Sequence, residues 1–444
     1  MSLLAKYDVP APRYTSYPTV PYWSEPPTTE EWVQNLQSHV NVKTRWSVYI
    51  HVPFCETLCT FCGCNNTITK NHGVENPYVE KVIKEWNIYR QKVPSLFNQP
   101  LAHLHLGGGS PSFLKPESID QLLQGTLGSI KRETSFEGSM EVDPRRTQKA
   151  QLEVLRKWGF NRLSLGVQDF TPEVQRIINR NQPFEITEQV VNWGRELGFE
   201  SINIDLIYGL PKQDMICIEK TVEQTLLLRP DRIALYSFAL VPWIKPQQRL
   251  FKDEDVPTGI AKRALYERAR ELFLTAGYVE IGMDHFALPG EALAEALRQK
   301  KLHRNFMGYT DQETDILLGL GVSSISETPN CFHQNEKLLN HYEKKIASEE
   351  IPTLRGHKLN SEDCLRRRQI RDLMCLGEIQ LEDHQIKDLQ EVLSEMVKDG
   401  LLVFEGKQLK IKSEGRAFLR NACMALDLRL RQQQPSSRVF SQSV

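Results

Sequence analysis

Two hydrophobic periods alternate along the chain from about residue 46 to residue 240. Short apolar and β-branched runs predict six strands, at residues 47–52, 101–106, 139–142, 162–167, 202–207 and 232–238. Apolar positions at helical spacing predict the intervening helices, at residues 78–91, 116–127, 149–158, 187–197 and 217–228. Because neighbouring parallel strands need a helical crossover, six such units indicate a parallel sheet. A closed barrel takes eight units, so we predict an α/β fold with a partial (β/α)6 TIM-like barrel. Residues 278–283 are a candidate further strand.

The pattern changes at both ends of this predicted barrel, which takes residues 46–290. Residues 1–45, rich in Pro, Tyr and Thr, predict an N-terminal arm that covers the active site, with a short helix at 30–39. Residues 291–359 are a connecting, substrate-side segment. Residues 360–444 predict a smaller, mostly helical, winged-helix-like C-terminal domain, with helices at 363–374 and 384–398, a hairpin at 401–412 and a closing helix at 413–429. The polar tail at 432–444 predicts disorder.

Composition and charge narrow the class of protein. The chain has 444 residues, of which 40 % are hydrophobic and 25 % charged, and its net charge is −1. A net charge close to zero gives no sign of a nucleic-acid partner. The mixed charges of the C-terminal domain favour a lid or packing role over DNA binding. No apolar run approaches the roughly 20 residues of a membrane span, and the first residues lack a signal peptide. We therefore expect a cytoplasmic protein, most simply a monomer.

The nine cysteines are distributed unevenly along the chain. Four cysteines fall between Cys55 and Cys64, and the other five are scattered. The odd total and the missing export signal argue against a disulfide framework. The scattered cysteines are interpreted as small core residues, so the chemistry is expected at the cluster of four.

The spacing C-x3-C-x2-C at Cys55, Cys59 and Cys62 follows the first predicted strand directly. Three thiolates on one loop can hold three corners of an iron–sulfur cube, and the fourth iron then stays open for chemistry. Zinc is the alternative, but zinc usually takes paired Cys-x-x-Cys knuckles or His partners, and no second pair is present in the sequence. A loop at the carboxyl end of a barrel strand also suits an active site.

With Phe61 before the third cysteine, this motif resembles the radical SAM superfamily. The resemblance implies a partial barrel of the radical SAM type and a [4Fe–4S] cluster on Cys55, Cys59 and Cys62. It also implies that S-adenosylmethionine binds the fourth iron through its amino and carboxylate groups. One-electron reduction, by a donor such as flavodoxin or ferredoxin, then gives methionine and a 5′-deoxyadenosyl radical. Ligation by Cys64 would close the open iron, so we interpret Cys64 as a non-ligand close to the cluster, with packing as the alternative role.

Polar groups and glycines recur at the carboxyl ends of the predicted strands. Residues 107–109 are consecutive glycines after the second strand, and such a turn lets the backbone approach a ligand closely. Glu141, Gln168, Asp205 and Ser237 end later strands. Each could be a surface or capping residue alone, but polar residues at successive strand ends indicate a site.

Several segments together resemble the oxygen-independent coproporphyrinogen III oxidase family, from about residue 10 to the end: residues 12–18, the four-cysteine motif, and residues 107–111, 141–144, 161–170, 203–212, 282–286 and 303–310. The resemblance implies that a cluster-bound S-adenosylmethionine contacts Tyr49, Gly108, Glu141 and Ile325. It implies a second S-adenosylmethionine among Phe61, Gly109, Ser110, Gln168, Arg180, Asp205 and Ala239. Tyr14 in the arm and Cys64 are the catalytic candidates. Ser110 stands where the family commonly has Thr, and residues 241–246 look less typical of the family.

The implied reaction is the oxidative decarboxylation of two propionates of coproporphyrinogen III to vinyl groups, giving protoporphyrinogen IX. Fixed cations must hold the four carboxylates of the substrate, and Arg13, Lys212, His303 and Arg304 are candidates that could equally be surface charges. A haem-binding chaperone of the same superfamily is the alternative, although such relatives typically lack the fourth cysteine and the arm motif. A haem-opening methyltransferase and a nucleic-acid-modifying radical enzyme are further alternatives, the second opposed by the charge.

Overall fold

The computed structural model describes residues 2–433, 435 and 439–443. Its strands are, in chain order, β1 (Trp46–Val52), β2 (Phe54–Cys55), β3 (Thr67–Ile68), β4 (Leu101–Gly108), β5 (Arg132–Val142), β6 (Arg162–Gln168), β7 (Ser201–Tyr208), β8 (Arg232–Ser237), β9 (Val279–Ile281), β10 (His285–Ala287), β11 (His303–Asn305), β12 (Gly308–Thr310), β13 (Ile316–Leu320), β14 (Ile325–Thr328), β15 (Cys331–Asn335), β16 (Thr353–Lys358), β17 (Glu378–Gln380), β18 (Leu402–Glu405) and β19 (Gln408–Ile411).

The helices are α1 (Leu3–Tyr7), α2 (Thr29–His39), α3 (Glu75–Lys92), α4 (Pro94–Phe97), α5 (Pro116–Leu127), α6 (Lys149–Lys157), α7 (Pro172–Ile177), α8 (Phe184–Glu196), α9 (Met215–Leu228), α10 (Gly259–Thr275), α11 (Ala292–Arg298), α12 (Leu339–Ala347), α13 (Ser361–Leu376), α14 (Asp383–Val392), α15 (Ser394–Lys398), α16 (Leu419–Leu426) and α17 (Leu428–Gln432). Short 3₁₀ turns occupy Val20–Tyr22, His72–Val74, Pro111–Phe113, Pro246–Leu250, Asp253–Asp255 and Ser413–Phe418. No described helix is both long and apolar enough to cross a membrane.

A twelve-stranded sheet forms the centre of the molecule, in the order β16-β15-β14-β13-β1-β4-β5-β6-β7-β8-β10-β9. The strands from β13 to β8 are parallel to one another. All six predicted strands are present, and the partial barrel is confirmed. The parallel strand β13 was not predicted. The candidate strand at 278–283 contains β9, which forms an antiparallel hairpin with β10, so it does not extend the parallel series.

The hairpin of β11 and β12 fills the side where the curved sheet stays open. Phe306 at its tip lies edge-on against Tyr49 of β1, with ring centroids 5.2 Å apart. Tyr309 lies against His285 of β10 at 5.4 Å. Because these contacts reach strands far apart in the sheet order, the hairpin closes the barrel interior without adding a strand to the sheet. Residues 291–359 also contribute β13–β16 to the same sheet.

The C-terminal module combines α13–α17 with a three-stranded sheet in the order β17-β19-β18. The predicted hairpin at 401–412 is confirmed. The predicted helices at 384–398 and 413–429 are each interrupted. Residues 384–398 form two helices that break at Leu393, whose φ and ψ are −93° and 4°. Residues 413–429 contain a 3₁₀ turn and two helices, because Asp427 leaves helical geometry and its side chain accepts the Leu430 N–H as a cap.

The arm and the tail both pack onto the C-terminal module. Tyr7, Tyr14 and Tyr17 belong to the apolar core of that module. The backbone of Ser443 donates to the Val9 carbonyl at 2.8 Å, and Ser441 accepts from Ala11 at 3.0 Å. The prediction of a disordered tail is therefore wrong for this stretch. Residues 434, 436–438 and 444 of that tail lie outside the described residues.

Candidate active site

The cysteine loop leaves the sheet at the carboxyl end of β1. Short parallel pairing of β2 with β3 fixes its two ends. Within the loop, the Thr60 N–H donates to the Ile178 carbonyl at 3.1 Å, and the Cys62 N–H donates to the Cys59 carbonyl at 3.1 Å. The loop is thus held on both sides, with its cysteines at the mouth of the barrel, as predicted from the motif.

A cavity of about 290 Å³ lies between this loop and the strand ends. Twelve of the predicted site residues line it: Cys55, Cys59, Phe61, Cys62, Cys64, Gly108, Gly109, Ser110, Glu141, Gln168, Arg180 and Asp205. They come from six separate chain segments. Since parallel strands end at one edge of a sheet, residues distant in sequence converge there.

Nitrogen donors lie close to the sulfur atoms of Cys59 and Cys62. The Cys64 N–H donates to Cys62 Sγ at 3.4 Å, and Asn66 Nδ2 lies 3.7 Å from the same sulfur. Arg145 and Arg180 each place a guanidinium nitrogen 3.7 Å from Cys59 Sγ. These donors stabilise negatively charged sulfur. Hydrogen bonds from Cys64 lower the pKa of Cys62 to about 6.

The donor set fits a cluster held by thiolates better than a single ion. Among the described residues, no three His, Cys, Asp or Glu side chains converge on one point that a lone metal ion would occupy. Three thiols on one loop, N–H groups close to the sulfurs of two of them and a cavity beside them suit a cluster with one open iron. Cys55, Cys59 and Cys62 are therefore the residues that could hold it.

Two glycines allow the end of β4 to lie against the β1–β2 connection. A Cβ at Gly108, where φ is +117°, would lie 2.7 Å from the His51 ring. A Cβ at Gly109 would lie 2.6 Å from the Pro53 carbonyl oxygen. A larger residue at either position would displace His51 or the backbone at Pro53, so the close approach depends on glycine.

Glu141 presents an ionised carboxylate to the cavity. Gly108 donates its N–H to Glu141 Oε2 at 3.1 Å, and His105 Nε2 lies 3.3 Å from Oε1. Burial opposes ionisation of this carboxyl group, but the hydrogen bond and charge of His105 outweigh it, and the pKa of Glu141 is lowered. A fixed, ionised carboxylate is suited to binding an ammonium or sulfonium group.

Asp205 lies in the same cavity, but its pKa is raised, whereas that of Glu141 is lowered. Burial and the charge of Glu141 raise its pKa to about 6, although Asn203 and Ser164 donate hydrogen bonds to it. Gln168 reaches the cavity through a local irregularity of β6. Its φ is +74°, and the pairing of β6 with β7 shifts by one residue there, which is typical of a β-bulge that redirects a side chain.

Asp143 and Arg145 are site residues that the sequence analysis missed. Asp143 accepts hydrogen bonds from Arg145 Nη2 at 2.7 Å, and its Oδ1 lies 3.3 Å from Arg180. Burial is outweighed by the charges of Arg180 and Arg145, so the pKa of Asp143 is lowered to about 2. The carboxylate thereby fixes both guanidinium groups that face Cys59. Its position two residues after Glu141, on the same side of the strand end, was an available signal.

Tyr49, Ala239 and Ile325 lie beside the cavity without lining it. The Tyr49 ring would contact a Cβ at Gly107 at 3.0 Å, next to Glu141. Gln248 Nε2 bridges the carbonyls of Ala239 and Phe61, each at 3.2 Å. Ile325 begins β14, beside the strand that pairs with β1.

Tyr14 is not brought to the cavity. Its hydroxyl group donates to Asp427 Oδ2 at 3.1 Å inside the C-terminal module, and its catalytic role stays a prediction. Among the candidate substrate cations, Arg13 donates to the Ser237 carbonyl at the end of β8, at 2.6 Å. Lys212 is paired with Asp255, and Arg304 stacks over the Tyr309 ring at 4.4 Å. Burial lowers the pKa of His303 to about 3.

The barrel interior below Glu141 is polar, which the sequence analysis also missed. His105 Nδ1 lies 2.6 Å from Ser139 Oγ, and His103 Nε2 lies 3.0 Å from the same oxygen. Further down, Glu137 accepts a hydrogen bond from Arg162 at 2.9 Å. These hydrogen bonds fix the ring of His105, which in turn positions Glu141.

Comparisons with known proteins agree with this geometry. Residues 49–225 match the Radical SAM superfamily model. The chain is 38 % identical to oxygen-independent coproporphyrinogen III oxidase from Escherichia coli, covering 99 % of this chain and 98 % of the relative. It is 37 % identical to the enzyme of that name from Pseudomonas aeruginosa, covering 96 % and 95 %. The solved structure of the Escherichia coli coproporphyrinogen III oxidase superposes with a TM-score of 0.89 at 37 % identity, covering 94 % and 98 %. The chain belongs to the oxygen-independent coproporphyrinogen III oxidase family of radical SAM enzymes.

Proposed function

We propose that this chain oxidatively decarboxylates two propionates of coproporphyrinogen III to vinyl groups, giving protoporphyrinogen IX. The observation that carries the proposal is the cavity where the three-cysteine loop faces the charged strand ends, in a chain similar to these oxidases over nearly its full length. When bound, a [4Fe–4S] cluster and S-adenosylmethionine supply a radical able to take hydrogen from an unactivated carbon, which side chains alone cannot do.

The chain's own residues hold and orient these groups. Cys55, Cys59 and Cys62 hold the cluster, and the cations that Asp143 positions stabilise the charge on Cys59. Glu141 binds the amino group of S-adenosylmethionine, since it is the ionised carboxylate nearest the glycine turn. The hairpin of β11 and β12 and the cysteine loop cover part of the barrel interior, which would limit the access of water to a radical.

The proposal places a second S-adenosylmethionine beside Gln168, Arg180 and Asp205, which line the same cavity. Two decarboxylations consume two molecules, and the two carboxyl groups, Glu141 and Asp205, offer one partner to each. Asp205→Asn should reduce the binding stoichiometry of S-adenosylmethionine from two to one, measured by anaerobic equilibrium dialysis. A stoichiometry of one in the unaltered protein would refute this part of the proposal.

Cys64 acts next to the cluster and not as its ligand. Its backbone N–H already donates to Cys62 Sγ, and ligation would close the open iron. Cys59→Ser should therefore lose the absorbance of the cluster, whereas Cys64→Ser should keep that absorbance and fail in turnover. Loss of the cluster in Cys64→Ser would show that the ligand assignment is wrong.

The decisive assay is anaerobic. The protein is reconstituted with iron and sulfide and is supplied with reductant, S-adenosylmethionine, coproporphyrinogen III and a one-electron acceptor, because each decarboxylation also releases one electron. Protoporphyrinogen IX should form together with two equivalents each of methionine and 5′-deoxyadenosine. Tight haem binding without turnover would instead favour the chaperone alternative. In the cell a flavodoxin or ferredoxin supplies the electron, and the chain acts as a monomer.

A further inference from the structure

The arm motif at residues 12–18 lies at a second cavity and not at the catalytic one. Residues 14–17 of the arm, strand β11, helix α13, the loop before β13 and the end of β14 line this cavity of about 220 Å³. No described residue lines both it and the catalytic cavity. The hairpin of β11 and β12 separates it from the barrel interior, since His303 and Arg304 line the second cavity whereas Asn305 lines the interior. We call the second cavity the arm cavity.

Four arginines line the arm cavity: Arg304, Arg367, Arg368 and Arg371. Two of them are paired, since Arg367 lies 3.3 Å from Glu327 and Arg371 lies 2.9 Å from Asp372. Arg304 and Arg368 have no carboxylate at ion-pair distance in the part of the chain that the structure describes. Arg304 is only 8 % exposed, and its Nε and Nη1 have no hydrogen-bond partner among the described residues. Its charge is therefore removed from water without an anion in contact with it.

The carboxyl groups of the arm cavity do not neutralise these two arginines. Glu313, Asp315 and Glu327 line the cavity, and Glu327 is already paired with Arg367. Asp315 accepts the backbone N–H of Arg45 at 2.9 Å. Glu313, whose side chain is 68 % exposed, lies 3.8 Å from Arg371. The wall of the cavity therefore keeps an excess of positive charge at Arg304 and Arg368.

Neutral donors lie beside these cations. The hydroxyl groups of Thr15 and Ser16 line the cavity and have no hydrogen-bond partner among the described residues. Burial and the charges of Arg371 and Arg367 lower the pKa of His303 to about 3, so its ring is neutral and one nitrogen carries an N–H. Hydroxyl and imidazole donors next to guanidinium groups suit a carboxylate, whose plane also matches the guanidinium fork.

We propose that the arm cavity binds carboxylate groups of an organic anion, which bridge the arm, β11 and α13. A cavity of about 220 Å³ takes a small carboxylic acid or a propionate side chain, but it is too small for a macrocycle. Two sources of the carboxylate fit this size: a free tricarboxylate, or the propionates of a tetrapyrrole whose ring stays outside. The second source rests on the proposed function, and the first does not. Either one stabilises the hairpin that closes the barrel, because a ligand that bridges separate segments of the folded state favours that state.

Calorimetry on the cluster-loaded protein under nitrogen tests the proposal, with tricarballylate, inorganic phosphate and coproporphyrin III as probes. Tricarballylate is a tricarboxylate without the hydroxyl group that makes citrate a strong iron chelator. It should bind with one equivalent, and the double variant Ser16→Ala, Arg368→Gln should raise its Kd on the order of tenfold. It should also raise the Tm of the unaltered protein more than that of the double variant. The matched control is Arg229→Gln, at an exposed arginine between α9 and β8, which should leave the Kd for tricarballylate unchanged.

The three probes separate the sources of the carboxylate. A higher Kd of the double variant for tricarballylate alone assigns the cavity to a free carboxylate. A higher Kd, or the loss of one equivalent, for coproporphyrin III as well assigns it to tetrapyrrole propionates. Absence of tricarballylate binding, or unchanged Kd values in the double variant, would overturn the proposal, and so would tighter binding of phosphate than of tricarballylate at the same site. The turnover assay of the proposed function is a separate measurement, so its failure leaves the tricarballylate result unaffected.

Discussion

Glu85 is a fully buried carboxyl group between α3 and the turn that follows β13. It accepts hydrogen bonds from the Gly321 N–H at 2.8 Å, the Tyr342 hydroxyl at 2.7 Å and Asn335 Nδ2 at 2.6 Å. These donors lower its pKa, but burial outweighs them and raises the pKa to about 7. The turn that Glu85 holds leads into Ile325, which lies beside the cavity.

The raised pKa makes the folded state bind the proton more tightly than the unfolded state does. A shift from 4.5 to about 7 corresponds to about 3 kcal/mol. Because the folded pKa is raised, this stabilisation is fully present below pH 4.5 and is lost as the pH rises through 7. Glu85→Gln is neutral at every pH and resembles the protonated acid in shape. The free energy of unfolding of Glu85→Gln should therefore not show this decrease with rising pH.

Urea unfolding at pH 5.5 and pH 8.5 measures the effect. We expect Glu85→Gln to be within about 1–2 kcal/mol of the unaltered protein at the lower pH, where one amide donor replaces one hydroxyl. Between the two pH values the variant should gain about 2 kcal/mol relative to the unaltered protein, because about 1.5 pH units separate pH 5.5 from the folded pKa of about 7. Glu188→Gln, at an exposed glutamate of α8, controls for the general loss of a charge. Parallel pH dependences for Glu85→Gln and the unaltered protein would refute the reasoning.

Three further predictions concern the site and its support. Gly108→Ala should weaken S-adenosylmethionine binding at least tenfold by equilibrium dialysis, because a Cβ meets the His51 ring at a strained φ of +117°; Gly290→Ala, where a Cβ meets nothing within 4 Å, should not. Asp143→Asn should lower the amount of iron retained after desalting, because the guanidinium groups that face Cys59 lose the carboxylate that holds them in place. Unchanged iron content would contradict this positioning role of Asp143. Arg232→Met removes the buried ion-pair partner of two largely covered carboxylates and should destabilise the fold by about 3–5 kcal/mol in urea.

The parts of the fold that follow from local patterns were predictable from the sequence. Strand and helix periods located the six strand–helix units, and the cysteine spacing located the loop. The strand β13 was not predictable, because it returns to pair with β1 across about 270 residues, from Trp46 to Ile316, and no local pattern encodes such pairing. Tyr14 is a similar case, since its partner Asp427 is 413 residues away.

The polar barrel interior shows a signal that was present but not used. In β4, His103 and His105 stand at alternate positions among apolar neighbours, and the period of two in a strand puts both on one face. With both faces of a barrel strand buried, two histidines on one face predict a hydrogen-bonded interior. This pattern would have indicated a polar partner on a neighbouring strand, which in the structure is Ser139.

The two carboxyl groups of the cavity differ in charge state, and under the proposal of two S-adenosylmethionine molecules this difference sets the order of binding. Glu141 is ionised without a ligand, because His105 and Gly108 stabilise its charge. Asp205 titrates near pH 6, partly because Glu141 is ionised beside it. A cation bound at Glu141 neutralises that charge and thereby lowers the pKa of Asp205. On the proposal of two S-adenosylmethionine molecules, binding of the first cation would therefore prepare Asp205 to bind the second.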